Sequence, residues 1–395
     1  MGCAFERVRT REVYLDEAGN ALVRAAVGSA PLRHAGLGAA PLEVNPSGGE
    51  TARAKFPPTL VRAISYIESN WSMANYATAR GKVGPVLTSS GCAYGMMQVL
   101  TGMQPQNPAN RLTNLQRLIL KNHVANVQAG LSLLGEKWNY GGAGEWPYVE
   151  GRNPAILEDW YYAVWAYYAM FPGLNPANPD YPWPRPTYGS PACRNQPRGC
   201  MYSDYPYQEL IMGMVANPPV MGAGPEGEPV YLWEAKPVHL PDRDLFVDRS
   251  APKKPLWPPP VLPAPAAPTF DNQAPPRPAL TLGRAELTLD YGSGAPEVTG
   301  LAVNAILNSG GGIISPNIDV VQEGPGGNWL SGWSLTSRVT PAGLLVSFDP
   351  SVMGSGEHTA EFRIWSKIVR TAPRIFTLRV CIDGCAGSRG STAVE

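Results

Sequence analysis

Proline constrains this chain more than any other residue type. There are 42 prolines in 395 residues, and 11 of them fall within residues 251–280. Proline has no amide hydrogen to donate, and its ring collides with the preceding helical turn, so neither a helix nor a central strand can run through such a stretch. Residues 217–281 therefore read as a Pro-rich linker. Two arrangements are open. A polyproline II spacer would reach roughly 90 Å at about 3.1 Å per residue, whereas a strap would be held to a neighbouring domain by Trp257 and Leu262.

The flanking regions differ in period. Residues 1–50 are Ala- and Gly-rich and read as an extended or partly ordered arm. From there to residue 216 the apolar spacing is helical. Leu112, Leu115 and Leu118 form a short stripe, and Val124, Val127, Leu131, Leu134 and Trp138 a longer one that stops at Gly141 and Gly142. Residues 157–170 are almost wholly apolar and aromatic, as in a helix central to a bundle. A second Pro-rich run, 172–200, carries Tyr181, Trp183 and Tyr188. It reads as a long ordered loop capping the bundle, or as the wall of a sugar-binding groove. From residue 282 the period changes to two. Seven short segments (285–291, 301–308, 317–322, 329–335, 344–348, 358–364 and 375–381) alternate apolar and polar residues between Gly, Pro, Ser and Asn turns.

Composition excludes several function classes. Lys plus Arg equals Asp plus Glu at 32 each, so the chain lacks the basic footprint of a nucleic-acid binder. No apolar run approaches 18 residues, so no transmembrane segment is expected. The four histidines are scattered and suggest no metal site or cofactor. The opening MGCAFERVRT shows no charged segment followed by an apolar one, so no signal peptide is visible in the numbered chain. Cysteine usage nevertheless suggests an oxidising compartment. Cys193 with Cys200, and Cys381 with Cys385, bracket short loops and read as disulfides, the spacings being poor for zinc. Cys3 and Cys92 are left either free or joined to each other.

The stretch most suggestive of chemistry is LVRAISYIESNW, starting at Leu60. Leu60, Ile64, Ile67 and Trp71 form an inward stripe, and Glu68 stands at its border. A carboxylic acid placed there is partly desolvated, which disfavours its charged form and makes it a proton donor near neutral pH. Glu68-Ser69, then Gly95-Met96-Met97-Gln98-Val99, then Asn126 with Gly130 four residues on, resemble three signatures of the soluble lytic transglycosylase family, which is related to goose-type lysozymes. Ala166-Tyr167-Tyr168 partly matches a fourth, with Tyr168 where the family has Asn. Tyr205-Pro206-Tyr207 echoes a late Tyr-Pro segment. The interval from Glu68 to Gln98 is longer than the family's, suggesting an insertion around residues 77–90. FDPSVMGSGEHTAEFRIWS resembles the bacterial Ig-like domains of the BACON type.

The expected fold is multidomain: an arm (1–50), a mainly α lysozyme-like helical domain (51–216), the linker (217–281) and an all-β immunoglobulin-like sandwich (282–395). A helix after Gly95 is expected to pack beside the aromatic one. The resemblance implies cleavage of the β-1,4 bond between N-acetylmuramic acid and N-acetylglucosamine in peptidoglycan, with Glu68 as single acid and base and 1,6-anhydro ends as product. It implies substrate contacts from Ser69, Met97, Gln98, Tyr167, Tyr168 and Tyr205, and a bracing role for Gly95, Asn126 and Gly130. Glu136, Glu145, Glu158, Asp159, Asp204 and Glu209 are the other helical-domain acids, and none lies on a second signature. A hydrolytic muramidase carried on a phage tail and an inactive glycan-binding envelope protein are the alternatives. The location implied is secreted, periplasmic or cell-envelope, with an envelope or phage-tail partner for the Ig-like module.

Overall fold

In a computed structural model, described for residues 3–27, 56–105, 111–142, 146–251, 254–271, 277–291, 300–323, 329–369 and 371–383, the chain divides into two units. The first comprises Met1–Tyr14, Ala18–Pro219 and Trp233–Pro275, and the second Leu15–Glu17, Val220–Leu232 and Pro276–Glu395.

The first unit contains β1 (Arg9–Arg11), most of α1 (Leu15–Ala26), α2 (Pro58–Ser69), β2 (Val83–Pro85), α3 (Asn114–Lys121), α4 (His123–Gly142), α5 (Tyr161–Tyr168), α6 (Pro191–Arg194) and α7 (Tyr207–Ala216). Two prolines open α2, where a missing amide hydrogen costs nothing. Asn70 closes it in the left-handed conformation, donating its N–H to the Tyr66 carbonyl at 2.7 Å. That stop leaves Glu68 in the last turn. A capping box of Thr113 and Gln116 opens α3.

Part of the arm belongs to this unit. β1 pairs antiparallel with β2, so residues 83–85, within the stretch between Glu68 and Gln98, form a two-stranded ribbon with the N-terminal segment. Cys3 and Cys92 are joined in a disulfide, closing the same connection. Glu12 accepts from the backbone N–H groups of Met73 and Ala74 at 2.9 and 2.7 Å and pairs with Arg80. Residues 28–50 of the arm lie outside the described residues.

The Pro-rich segment lies along the first unit. Leu262 is buried, exchanging backbone hydrogen bonds with Tyr148 and Glu150. Tyr162 donates its hydroxyl to the Pro260 carbonyl, and Trp257 meets Trp165 edge-on. Asp271 accepts the Thr59 N–H at 2.6 Å and stands as counter-charge to Arg62, whose burial on α2 lowers its pKa to about 10.

The second unit holds a hairpin of β3 (Val220–Ala223) and β4 (Pro229–Tyr231). Eight strands follow: β5 (Leu280–Leu282), β6 (Glu286–Tyr291), β7 (Gly300–Asn308), β8 (Asn317–Glu323), β9 (Leu330–Leu335), β10 (Ala342–Phe348), β11 (Gly356–Trp365) and β12 (Arg374–Ile382). They form two four-stranded sheets, ordered β5-β7-β10-β9 and β6-β12-β11-β8. Residues of both sheets share one buried cluster, including Ile306, Val346 and Phe348 from the first and Phe362, Phe376 and Leu378 from the second. Along β7 burial alternates residue by residue, as a strand with one inward face requires. β12 and β6 run parallel.

These findings correct the expected fold class. The structure is 28% helix and 25% strand, a mixed α and β chain rather than a mainly helical lysozyme-like domain followed by an all-β one. Frequent Pro and Gly keep most helices short, and the first unit holds a β-ribbon and long irregular runs. Nor are the two units consecutive: Leu15–Glu17 and Val220–Leu232 join the second. No helix among the described residues is long and apolar enough to cross a membrane.

Candidate functional site

Glu68 is half-buried at the C-terminal end of α2. Burial pushes its carboxyl up to about 7, and a hydrogen bond donated by the Tyr207 hydroxyl works in the opposite direction. Tyr207 is the first residue of α7, and its ring stacks on Tyr168 with centroids 4.9 Å apart. Burial and the nearby Glu68 charge hold both Tyr167 and Tyr207 well above the usual phenol range. Both are therefore neutral hydrogen-bond donors at any physiological pH.

The residues from Gly95 to Gln98 brace this acid. They form a turn and not the expected helix. Tyr94 and Val99 exchange backbone hydrogen bonds at 3.0 Å, and Gly95 and Gln98 adopt positive φ, which a helix cannot include. Three helices meet there. Asn126 of α4 accepts the Met97 N–H at 2.8 Å and donates to the Tyr94 carbonyl at 3.0 Å. Tyr167 of α5 donates to the Met97 carbonyl at 2.7 Å, and Ser69 of α2 to the Met96 carbonyl at 2.7 Å. A side chain on Gly130 would come within 2.5 Å of the Met97 Cβ, and one on Gly95 within 2.5 Å of the Asn126 amide. Both glycines thus permit the close approach of α4 to the turn.

Several residues expected at the substrate make other contacts in the structure. Ser69 and Met97 are fully buried and committed to the brace. Gln98 donates its side-chain amide to the Gly95 carbonyl at 2.7 Å, holding its own turn. Tyr205 is buried beside Cys193 and donates to the Pro186 carbonyl at 2.7 Å, so it faces the loop of the Cys193–Cys200 disulfide. Its neighbour across Pro206, Tyr207, faces Glu68 instead. The Tyr-Pro-Tyr echo pointed to this segment, but which tyrosine turns inward depends on where α7 begins. Tyr168, 59% exposed, is the most open of the tyrosines assigned to substrate. The Cys381–Cys385 pairing involves Cys385, which lies outside the described residues.

The competing carboxyls are otherwise engaged. Asp159 is pushed up to about 6 by burial, yet it is enclosed and accepts the Asn153 N–H at 2.6 Å. Glu158 accepts backbone N–H groups of His239 and Thr269, and Glu209 is held in a buried ion pair with Arg185 at 2.6 Å. Glu136 accepts from the Tyr140 hydroxyl, and Asp204 lies 4.0 Å from Arg198. Glu145 lies outside the described residues. Among the described residues no cluster of His, Cys, Asp and Glu is arranged to hold a metal. A cavity of about 370 Å³ lies elsewhere in the first unit, lined by Val149, Tyr161, Met212 and Leu262 among others.

No family model matches the chain and no curated protein matches it. Among solved structures it is similar to a protein of unknown function from Porphyromonas gingivalis W83 (TM-score 0.22, 19% identity, covering 26% of this chain and 46% of that one). It is also similar to the secreted serine protease VesC from Vibrio cholerae (TM-score 0.20, 14% identity, 27% of this chain and 23% of that one). A third is a FixG-related protein from Vibrio parahaemolyticus (TM-score 0.18, 17% identity, 28% and 98%). The chain spans less than half the length of the first two, and at these scores the likenesses bear on neither fold nor chemistry.

Proposed function

We propose that the first unit is a peptidoglycan lytic transglycosylase, exported to the cell wall, in which Glu68 is the single acid and base. The observation that carries this reading is a partly buried acid whose carboxyl is pushed up to about 7 by burial and accepts a hydrogen bond from a neutral tyrosine hydroxyl. Burial and the Tyr207 hydrogen bond account for its shift, and among the described residues no second carboxylate contributes. Glycosidases that capture water or form a covalent intermediate pair two carboxylates. A lone acid fits an internal displacement.

Protonated Glu68 gives its proton to the glycosidic oxygen as the bond to the anomeric carbon of N-acetylmuramic acid breaks. The resulting carboxylate takes the proton of the same sugar's 6-hydroxyl, whose oxygen closes on the anomeric carbon. The acid is regenerated and no water is consumed. Tyr207 steadies the carboxylate between the two transfers, while Tyr167 holds the Gly95–Gln98 turn to α5 and Ser69 holds it to α2.

Digestion of purified sacculi with product masses recorded tests the proposal. Anhydro-terminated muropeptides from the wild type, and none from Glu68→Gln, are expected. Reducing ends would replace the ring closure with hydrolysis, and intact sacculi with both proteins would overturn the enzymatic reading.

A further inference from the structure

Residues 3–14 are tied to both of the structures that set the position of Glu68. At one end, Glu12 accepts the Met73 and Ala74 N–H groups, and its partner Arg80 donates to the Trp71 and Asn70 carbonyls at 3.2 and 3.4 Å. These contacts fix the chain just past the last turn of α2. At the other end, Cys3 is bonded to Cys92, and the Phe5 N–H donates to the Tyr94 hydroxyl at 3.2 Å. Tyr94 directly precedes the Gly95–Gln98 turn, whose Met96 carbonyl accepts from Ser65 and Ser69 of α2. The segment therefore bridges the exit of α2 and the turn that braces it. Its two ends are held differently. Glu12 is fully buried, whereas Cys3 and Cys92 are partly open and Ser89, Ser90 and Gly91 beside them are exposed. Cys92 also adopts φ 63°, a left-handed conformation that a residue with a side chain keeps only when tertiary contacts impose it. Here the bond to Cys3 imposes it.

We propose that the Cys3–Cys92 disulfide is a redox latch on the Glu68 site, holding the brace in its working position when oxidised and releasing residues 89–95, and the turn with them, when reduced. The proposal rests on the transglycosylase reading and adds its regulation: cleavage is confined to oxidising surroundings. The opening step consumes a dithiol. Its two electrons and two protons go to the protein, the bond between the sulfurs breaks, two thiols form, and the reductant closes to its own disulfide. Once Cys92 is free to leave its left-handed conformation, the strand leading into Gly95 shifts, and with it the Met96 and Met97 carbonyls that hold Ser69 and Tyr167. The Cys193–Cys200 bond lies off this path, with Cys193 fully buried beside Tyr205.

Reduction of the full chain by dithiothreitol, followed by reoxidation, tests this. Sacculus digestion is one readout. The other needs no activity: glutamate labelled with carbon-13 at its carboxyl shows the Glu68 titration by NMR, and Glu68→Gln identifies the signal. On reduction, turnover is expected to fall on the order of 100-fold at an unchanged apparent KM, as for a misplaced catalytic group. The Glu68 titration is expected to move from about 7 toward the ordinary carboxylate range as water reaches the acid. Both return on reoxidation. Cys3→Ser with Cys92→Ser is expected to behave as the reduced wild type whatever the reductant, and Cys193→Ser with Cys200→Ser to keep the full response. A titration that stays near 7 in the reduced, folded protein overturns the latch. So does loss of the first unit's melting transition on reduction, which would make the bond a staple of the fold alone. Sacculi left intact in every state, with the Glu68 titration still following the bond, would remove the catalytic reading and leave this inference standing.

Discussion

Two opposed influences set the proton affinity of Glu68, and each is removable. Desolvation favours the neutral acid and the Tyr207 hydroxyl favours the carboxylate, with burial the larger effect. Tyr207→Phe removes only the second, so the Glu68 pKa rises further. In the proposed reaction the free enzyme must begin protonated, so activity falls as pH rises through about 7, and the substitution moves that alkaline limb upward in a pH profile of sacculus digestion. Glu68→Gln is expected to lower turnover by roughly 100- to 10,000-fold. It also has a stability signature. A carboxyl raised above its unfolded value binds its proton more tightly in the folded state, so the wild type loses stability as pH climbs from the ordinary carboxylate range through about 7. The Gln variant escapes that loss. Above pH 8 it is expected to melt later than the wild type, by on the order of 1–2 kcal/mol after allowing for the carboxyl's contact with solvent, with the gap closing near pH 5. Thermal melts across that range read it directly.

At the level of elements, the Gly95–Gln98 turn governs the site although none of its side chains need touch substrate. α2, α4 and α5 each contribute a hydrogen bond to its backbone, so displacing the turn moves Glu68 and Tyr167 together. Gly130→Ala sets two effects against each other. Alanine is favoured over glycine inside a helix by up to about 1 kcal/mol. Against this stands a Cβ brought to 2.5 Å from that of Met97 in a packed interior, worth about 1–3 kcal/mol of strain. The strain is expected to win, giving a lower melting temperature and reduced cleavage. Asn126→Ala leaves the buried Met97 N–H without its acceptor, at about 1–3 kcal/mol, and removes one of the two donors to the Tyr94 carbonyl, which keeps the Val99 N–H. Denaturant titration with an unchanged slope checks both.

For the molecule as a whole, the Pro-rich segment acts as structure and not as a tether. It covers Val149 and Tyr162, and it carries Asp271 to the buried Arg62 six residues before Glu68 on α2. Leu262→Ala is expected to destabilise the first unit by about 2–5 kcal/mol, as for other fully buried leucines. In calorimetry the transition of the first unit should move while that of the second stays in place. Coincident movement of both would mean that the two unfold as one.

The elements were largely legible along the chain, because a period of 3.6 or 2 is a local property. The helical run ending at Gly141-Gly142 corresponds to α4, and all seven expected β segments coincide with strands. Glu68 stood out for the same reason, its place beside an apolar stripe being visible from spacing alone. What the tertiary structure decided is partnership. Nothing local says that the arm pairs with residues 83–85, that Tyr207 rather than Tyr205 faces the acid, or that three helices converge on a turn read as a helix. Nor does local pattern show that Leu15–Glu17 and Val220–Leu232 leave their neighbours for the other unit, or that strands and irregular runs hold the helical share to 28% where a mainly helical domain was expected. Such contacts join residues tens to hundreds of positions apart, and their energies depend on burial and donor–acceptor geometry that exist only once the chain has closed on itself.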